Sequence, residues 1–192
     1  HADLPVKYNV NGNTVQFQFS SEKISSPEGI VIDPWITNPN FPGINRAYDI
    51  QEDAVGNVFV HGNYSQNSSG NNYHVQKYNS LGVWQWTYTT YSIFLGDIAV
   101  DNPGNVYIIG GYCAGKRQKL DPNGVQLWSL SGLCEEWRLA FNYSKTVLAI
   151  CGYFINPGGN NLAQLDMNTG AISNQIAYNE ETRSISTDCN GD

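Results

Sequence analysis

The amino-acid sequence predicts an all-β fold assembled from repeated four-stranded antiparallel units, and three observations carry that expectation. One phrase recurs. "YDIQEDAVGNVFVHGNY" (Tyr48 to Tyr64) lines up with "GDIAVDNPGNVYIIGGY" (Gly96 to Tyr112), Gly56 falling on Gly104. A third copy, "WRLAFNYSKTVLAICGY" (Trp137 to Tyr153), has Lys145 in place of the glycine, and a fourth, "RSISTDCNGD" (Arg183 to Asp192), stops within the turn. The aligned Asp53, Asp101, Asn142 and Asp188 stand 41 to 48 residues apart. Each unit also holds a second phrase: "KYNSLGVWQW" from Lys77, "KLDPNGVQLW" from Lys119 and the one-residue-longer "QLDMNTGAISN" from Gln164. Finally, the segments flanking both phrases alternate and are rich in Val, Ile, Tyr and Trp, the pattern of half-buried antiparallel strands.

The chain opens with "VKYNVNGNTVQFQF", which reads as a strand, an Asn-Gly turn and an alternating strand. "GIVIDPW" (Gly29 to Trp35) follows as a further strand ended by Pro34. This region, 1–36, is expected to be the C-terminal part of a small β-sandwich-like domain, with Pro34 to Gly43 as its linker; the repeats fill 37–192. Within each repeat, two strand–turn–strand hairpins follow one another. Asp or Asn at the first turn position accepts a backbone hydrogen bond, and Gly56, Gly82, Gly104, Gly124 and Gly170 supply the left-handed residue the chain needs to return. No segment reads as a helix.

Four antiparallel strands at a period near 45 residues are the signature of a β-propeller blade. The expected architecture is therefore a partial propeller: about three four-stranded blades plus the start of a fourth, preceded by the end of a small β domain. A blade cannot bury both faces alone, so neighbours must stack on it. Three blades do not close a ring, and the sequence is expected to belong to a longer chain whose remaining blades complete it.

The order "YNVNGNTVQFQF…GIVIDPW" followed by "AYDIQEDAVGNVFVHG" resembles bacterial surface and secreted proteins with the SBBP β-propeller repeat. In these, an N-terminal β domain ends in a "V-x-F…L-V-I-D-P" phrase just before repeats of the form "A-x-D-x-x-G-N-x-Y-V-x-G". The third repeat departs from that form at Lys145 and Cys151. The resemblance implies a secreted or cell-surface multidomain protein, similar to cargo of the type IX secretion route, in which propellers accompany adhesion or carbohydrate-related modules. It brings no catalytic residue set.

Composition bounds the partners. A net charge of −7 gives a long-range field that repels phosphate backbones and anionic headgroups, which argues against nucleic acid and membrane surfaces. No apolar run approaches the ~20 residues that span a bilayer. Few Lys and Glu beside many Asn, Gly, Ser, Thr and Tyr suit an exported β protein with its signal removed. Cys113, Cys134, Cys151 and Cys189 form no CxxC pair, which argues against zinc, and disulfides in an oxidising compartment are preferred over buried free thiols. Cys113 opens a loop between second and third strands and Cys134 lies in the next loop between blades, which puts both on one face of adjacent blades. A bridge between them would close roughly 20 residues and contribute about 3 kcal/mol in the chain-entropy model. Cys151 is the competing partner for Cys134, and Cys189 lies on the opposite face.

Candidate binding groups gather on the face shared by those two kinds of loop. Tyr64, Tyr73, Tyr91, Phe94, Tyr112, Trp137 and Tyr153, with many Asn, offer the stacking faces and amide donors a sugar ring needs; the alternative is ordinary polar loops with aromatics packed between blades. At the ends of the first strands the aligned positions are Asp49, Asp97, Arg138 and Ser184, with Trp137 and Arg183 as neighbours. Two carboxylates and two guanidiniums converging there could bind a charged ligand or a metal, but a structural ion-pair ring is favoured. The ligand-binding candidates are thus Asp49, Asp97, Trp137, Arg138, Arg183, Tyr112 and Tyr153. His61 and His74 lie in strands and read as packed residues. "DMNTG" from Asp166 and "DCNGD" from Asp188 lack the closing glutamate of a calcium loop and read as turns. The sequons at Asn63, Asn67 and Asn142 are expected by chance in so Asn-rich a chain. No nucleophile elbow or metalloprotease helix motif occurs. No catalytic residues, metal or cofactor are expected. The function that follows is a non-catalytic extracellular module for adhesion or glycan recognition, binding a carbohydrate or protein ligand. The alternatives are the substrate-binding propeller of a polysaccharide-active enzyme and a structural spacer.

Overall fold

The computed structural model describes residues 6–11, 14–19, 46–62, 66–67, 70–92, 96–111, 115–153, 160–177 and 182–187. The chain divides into two compact units, His1–Trp35 and Ile36–Asp192. In the first, β1 (Val6–Asn11) pairs antiparallel with β2 (Thr14–Phe19), Val10 standing opposite Val15. The strand expected over Gly29 to Trp35 and the linker after it lie outside the described residues.

The second unit holds three antiparallel sheets, one of five strands and two of four. The first runs β3 (Ala47–Glu52), β4 (Val58–Gly62), β6 (Gly70–Tyr78) and β7 (Trp84–Ser92), with β5 (Gln66–Asn67) added beside the start of β6. The second is β8 (Asp97–Val100), β9 (Val106–Ile109), β10 (Lys116–Leu120) and β11 (Gln126–Ser131). The third is β12 (Glu136–Phe141), β13 (Leu148–Gly152), β14 (Asn160–Leu165) and β15 (Ile172–Ala177). No helix occurs among the described residues, so none there is long and apolar enough to cross a membrane. One expectation needs correcting. Tyr73, expected on a loop, lies within a strand, because β6 begins at Gly70 and pairs there with β5. Tyr73 is consequently buried beside the His61 ring, with 6.1 Å between centroids, and is not a loop residue.

The turns form as their residues dictate. Asp53 Oδ1 accepts the amides of Val55 and Asn57 at 3.1 and 2.9 Å, and Asp121 Oδ1 those of Asn123 and Val125 at 2.8 Å each. Lys145 takes the glycine's left-handed place at φ 53°. Its ammonium then reaches the Glu52 carbonyl at 3.0 Å, tying the first turn of the third sheet to the end of β3.

Successive sheets stack face to face. Phe59 and Val75 of the first sheet pack on Ile98, Val100, Val106, Ile108 and Leu120 of the second. Tyr107 and Ile109 of the second pack on Leu139, Leu148, Ile150, Ala163 and Leu165 of the third. Each fully buried side chain of this kind contributes about 1.5–3 kcal/mol. A repeated polar clamp sets the stacking distance. Lys77 Nζ and Trp86 Nε1 donate to the Pro122 carbonyl at 2.9 and 3.1 Å. Lys119 Nζ and Trp128 Nε1 donate to the Met167 carbonyl at 2.9 and 3.4 Å. Both ammoniums also sit over an aromatic ring, Phe59 at 5.1 Å and Tyr107 at 5.0 Å.

β8 lies between β3 and β12, so the first strands of the three sheets are neighbours. Thr182–Thr187, the start of the fourth repeat, runs beside β12: the Thr187 hydroxyl donates to the Phe141 carbonyl and the Thr182 amide to that of Gly152. A cavity of about 410 Å³ among these first segments is lined by Gln51, Ala99, Ala140 and Ser186, one equivalent residue from each repeat.

Candidate functional site

Asp97 opens β8 and is buried. The backbone seats it there because Gly96 has no side chain: a Cβ on Gly96 would stand 1.9 Å from the Ile109 carbonyl oxygen. Both carboxylate oxygens are engaged by β12. Oδ1 accepts from Arg138 Nη1 at 3.2 Å, and Oδ2 from the Leu139 amide at 2.9 Å. Burial raises the Asp97 carboxyl from its ordinary range to about 6; the nearby Asp49 charge adds to the rise, while the Leu139 amide and the Arg138 guanidinium oppose it. Of the arrangements open to this convergence of charge, an ion pair is formed between Asp97 and Arg138. Asp49 is half-buried, its Oδ2 accepting from Gln51 Nε2 at 3.0 Å.

His61 faces Asp49 across the β3–β4 ladder and is buried, its Nδ1 without a hydrogen-bond partner. Burial, followed by the charges of Arg138 and His74, lowers its pKa to about 4, so the ring is neutral at physiological pH. Cys151 stands opposite Arg138 in the β12–β13 ladder as a free, buried thiol that burial pushes up to about 11. A thiol so raised is a poor nucleophile. It also corrects one alternative: Cys151, being free, is not the partner of Cys134. Cys134 is buried, and Cys113 and Cys189 lie outside the described residues.

Above Asp97 an open depression of about 200 Å³ is lined by Gly96, Trp137, Arg138 and Arg183. The structure thus brings Trp137, Arg138 and Arg183 around one space, with Asp97 behind Arg138. Arg138 keeps its side chain 48% exposed although its guanidinium is anchored. Tyr153 is exposed and does not line this space; its amide donates to the Glu135 carbonyl at 2.8 Å. Tyr112, Tyr64 and Phe94 lie outside the described residues. No group of three or more His, Cys, Asp or Glu suited to a metal occurs among the described residues.

One feature escaped the sequence reading. Arg117 Nε lies 3.2 Å from Glu136 Oε1, both side chains being buried, and Arg117 Nη1 donates to the Gly170 carbonyl at 2.6 Å. Glu136 also accepts the Leu133 amide at 2.8 Å. Burial nevertheless raises its carboxyl to about 7. The signal was in the alignment. Arg117 stands where the other repeats have Val75 and Leu162, and Glu136 where they have Ala47 and Leu95.

No protein-family model and no curated protein matches the chain. Among solved structures the chain is similar to the crystal structure of a protein of unknown function from Bacteroides caccae, at 12% identity and a TM-score of 0.40. The match covers 68% of this chain and 60% of that one, so the chain spans less than two thirds of that protein's length.

Proposed function

We propose that the three sheets are blades of a β-propeller completed by further blades of a longer chain, and that the protein is a non-catalytic, exported bacterial module that binds a glycan. The observation that carries the binding reading is the depression where Trp137, Arg138 and Arg183 meet. An indole supplies a stacking face and guanidiniums supply fixed, directed donors, the two things a pyranose ring needs. At about 200 Å³ the space lies below the ~300–1,000 Å³ of sites for drug-sized ligands, which suits one ring of a longer glycan. Support for the propeller comes from the stacked sheets and from the equivalent residues of four repeats around one cavity. A Cys113–Cys134 bridge belongs to the same reading, since it fits an oxidising compartment.

Calorimetric titration and thermal shift against a panel of oligosaccharides test this. A ligand at ~100 times its dissociation constant should add about 2.7 kcal/mol to stability, and Trp137→Ala should abolish the shift. Turnover of any member of the panel would replace the module with an enzyme. A panel without effect would leave a structural spacer.

A further inference from the structure

The two contacts between successive sheets are built alike. In the first, Lys77 of β6 and Trp86 of β7 donate to the Pro122 carbonyl; in the second, Lys119 of β10 and Trp128 of β11 donate to that of Met167. The turn that supplies the carbonyl lies against the indole. A Cβ on Gly124 would stand 2.9 Å from the Trp86 ring, and one on Gly170 2.9 Å from that of Trp128. In both turns the preceding aspartate, Asp121 or Asp166, spends its side chain on the turn's own amides. What each sheet receives from its neighbour is therefore a hairpin turn with one carbonyl aimed at two donors.

The third sheet carries Gln164 at the lysine position and Asn174 at the tryptophan position. The two lysines stand directly opposite their tryptophans. Gln164 instead stands opposite Ser173, and β15 bulges between Ser173 and Ile176. Asn174 lies in that bulge at φ 46°, left-handed backbone that asparagine tolerates better than most residues. Its Nδ2 donates to Gln164 Oε1. With the oxygen engaged in this way, the end of the Gln164 amide left for a neighbour is the Nε2 donor. The lysine–indole pair is gone from this sheet, but a donor stands at the same place. Gln164 and Ser173, together with Thr146 and Val147, line a groove of about 380 Å³.

We infer that this groove seats one more hairpin turn, that of the blade following the third sheet, and that Gln164 Nε2 donates to its second residue's carbonyl as the two lysines do. This rests on the propeller reading above and deepens it by naming the contact and the kind of partner. Continuity with the two contacts already formed favours that occupant. Each of the three sheets carries a turn of this kind, Asn79 building the one in the first sheet. The segment that opens the fourth repeat, Thr182–Thr187, also runs beside β12 of the same third sheet.

The test compares the natural polypeptide that carries this sequence with the chain ending at Asp192, the latter kept dilute enough to be monomeric, by hydrogen exchange of β15. Gln164→Glu keeps the acceptor for Asn174 and turns the donor into a carboxylate; Gln164→Lys restores the donor of the first two sheets. In the longer protein, Gln164→Glu should speed exchange of β15 at least about tenfold and Gln164→Lys should change it less than about twofold. In the shorter chain the two variants should exchange alike. If they exchange alike in the longer protein too, while wild-type β15 is better protected there than in the shorter chain, the turn seat is overturned and the propeller reading stands. A tenfold difference in the shorter chain as well would place the effect within the β14–β15 pair and also overturn the seat. If wild-type β15 exchanges equally fast in both proteins, or the natural polypeptide ends at Asp192, the propeller reading falls and takes the inference with it.

Discussion

At the scale of single residues, the Arg117–Glu136 pair is a costly arrangement, both side chains being buried. Two charges are withdrawn from water between the second and third sheets, and their attraction offsets that loss only while both are present. Glu136→Leu alone should therefore destabilise by about 3–5 kcal/mol, since it leaves the Arg117 charge buried and uncompensated, and Arg117→Leu by less at neutral pH, where Glu136, already raised to about 7, takes up a proton. The double variant restores what the other repeats carry at these positions and should lose less than either single one; denaturant unfolding of all four proteins closes the cycle. A double loss equal to the sum of the singles would show that the two side chains act independently. His61 makes a prediction of opposite character. Its folded pKa is near 4 against 6.5 in the free chain, so between those values the unfolded state binds the proton and the folded state does not. Its contribution to stability is thus lost as pH falls from 6.5 to 4. Asp97 and Glu136, raised to about 6 and about 7, act the other way: the folded state keeps their protons to higher pH, and stability gains as pH falls through their windows. His61→Leu should accordingly improve relative to wild type on acidification, by at most about 1.4 kcal/mol per pH unit across the histidine's window. Denaturation midpoints at pH 7 and pH 4.5 would show it, and an unchanged gap between the two proteins would mean that His61 binds its proton equally well in the folded and unfolded chains.

At the scale of elements, the turns were legible and the clamps were not, for one physical reason. A turn is set by residues adjacent in sequence, so Asp, Asn and Gly announce it locally; Gly56, Gly104 and Gly170 all take the positive φ their turns require. A clamp joins residues 36 to 48 positions apart, and Lys77, Trp86, Lys119 and Trp128 read only as strand residues until the sheets are stacked. What betrays them is recurrence: lysine and tryptophan return at the same places in the first two second-phrases, and Gln164 and Asn174 replace them in the third. Two turn glycines separate local strain from clamp packing. A Cβ on Gly56 would meet nothing nearer than the Ser80 Cβ at 3.5 Å, so Gly56→Ala should cost only the left-handed penalty, about 1–2 kcal/mol. A Cβ on Gly170 would stand 2.9 Å from the Trp128 ring and 3.0 Å from Leu130, adding about 1–3 kcal/mol of overpacking to the same penalty. Gly170→Ala should therefore be clearly the worse of the two in urea unfolding. Equal losses would mean that the Trp128 side of the clamp yields freely.

For the whole molecule, the period in the sequence exposes what every sheet must repeat and hides what occurs once. Strand order and turn chemistry were readable because each sheet solves the same folding problem. The depression is not repeated: Trp137 stands where the earlier copies have Tyr48 and Gly96, and a single departure has no periodic signal. The same logic ranks the sheets by local stability. The second is covered on both faces, and every residue of β9 is buried. The third has lost the clamp on its far side, with Ala149 where Phe59 and Tyr107 carry the lysines, and β15 is exposed along nearly its whole length. Hydrogen exchange should follow this order, since protection falls where buried contacts are few and strand amides meet water. Peptides from β9 should exchange slowest, those from β11, whose Trp128 lies under the Met167 turn, at intermediate rates, and those from β15 fastest. In the proposed ring, β15 is protected once the next blade is seated. If β15 is as protected as β9 in a protein ending at Asp192, a second copy has taken that blade's place, and the apparent mass in solution should then double.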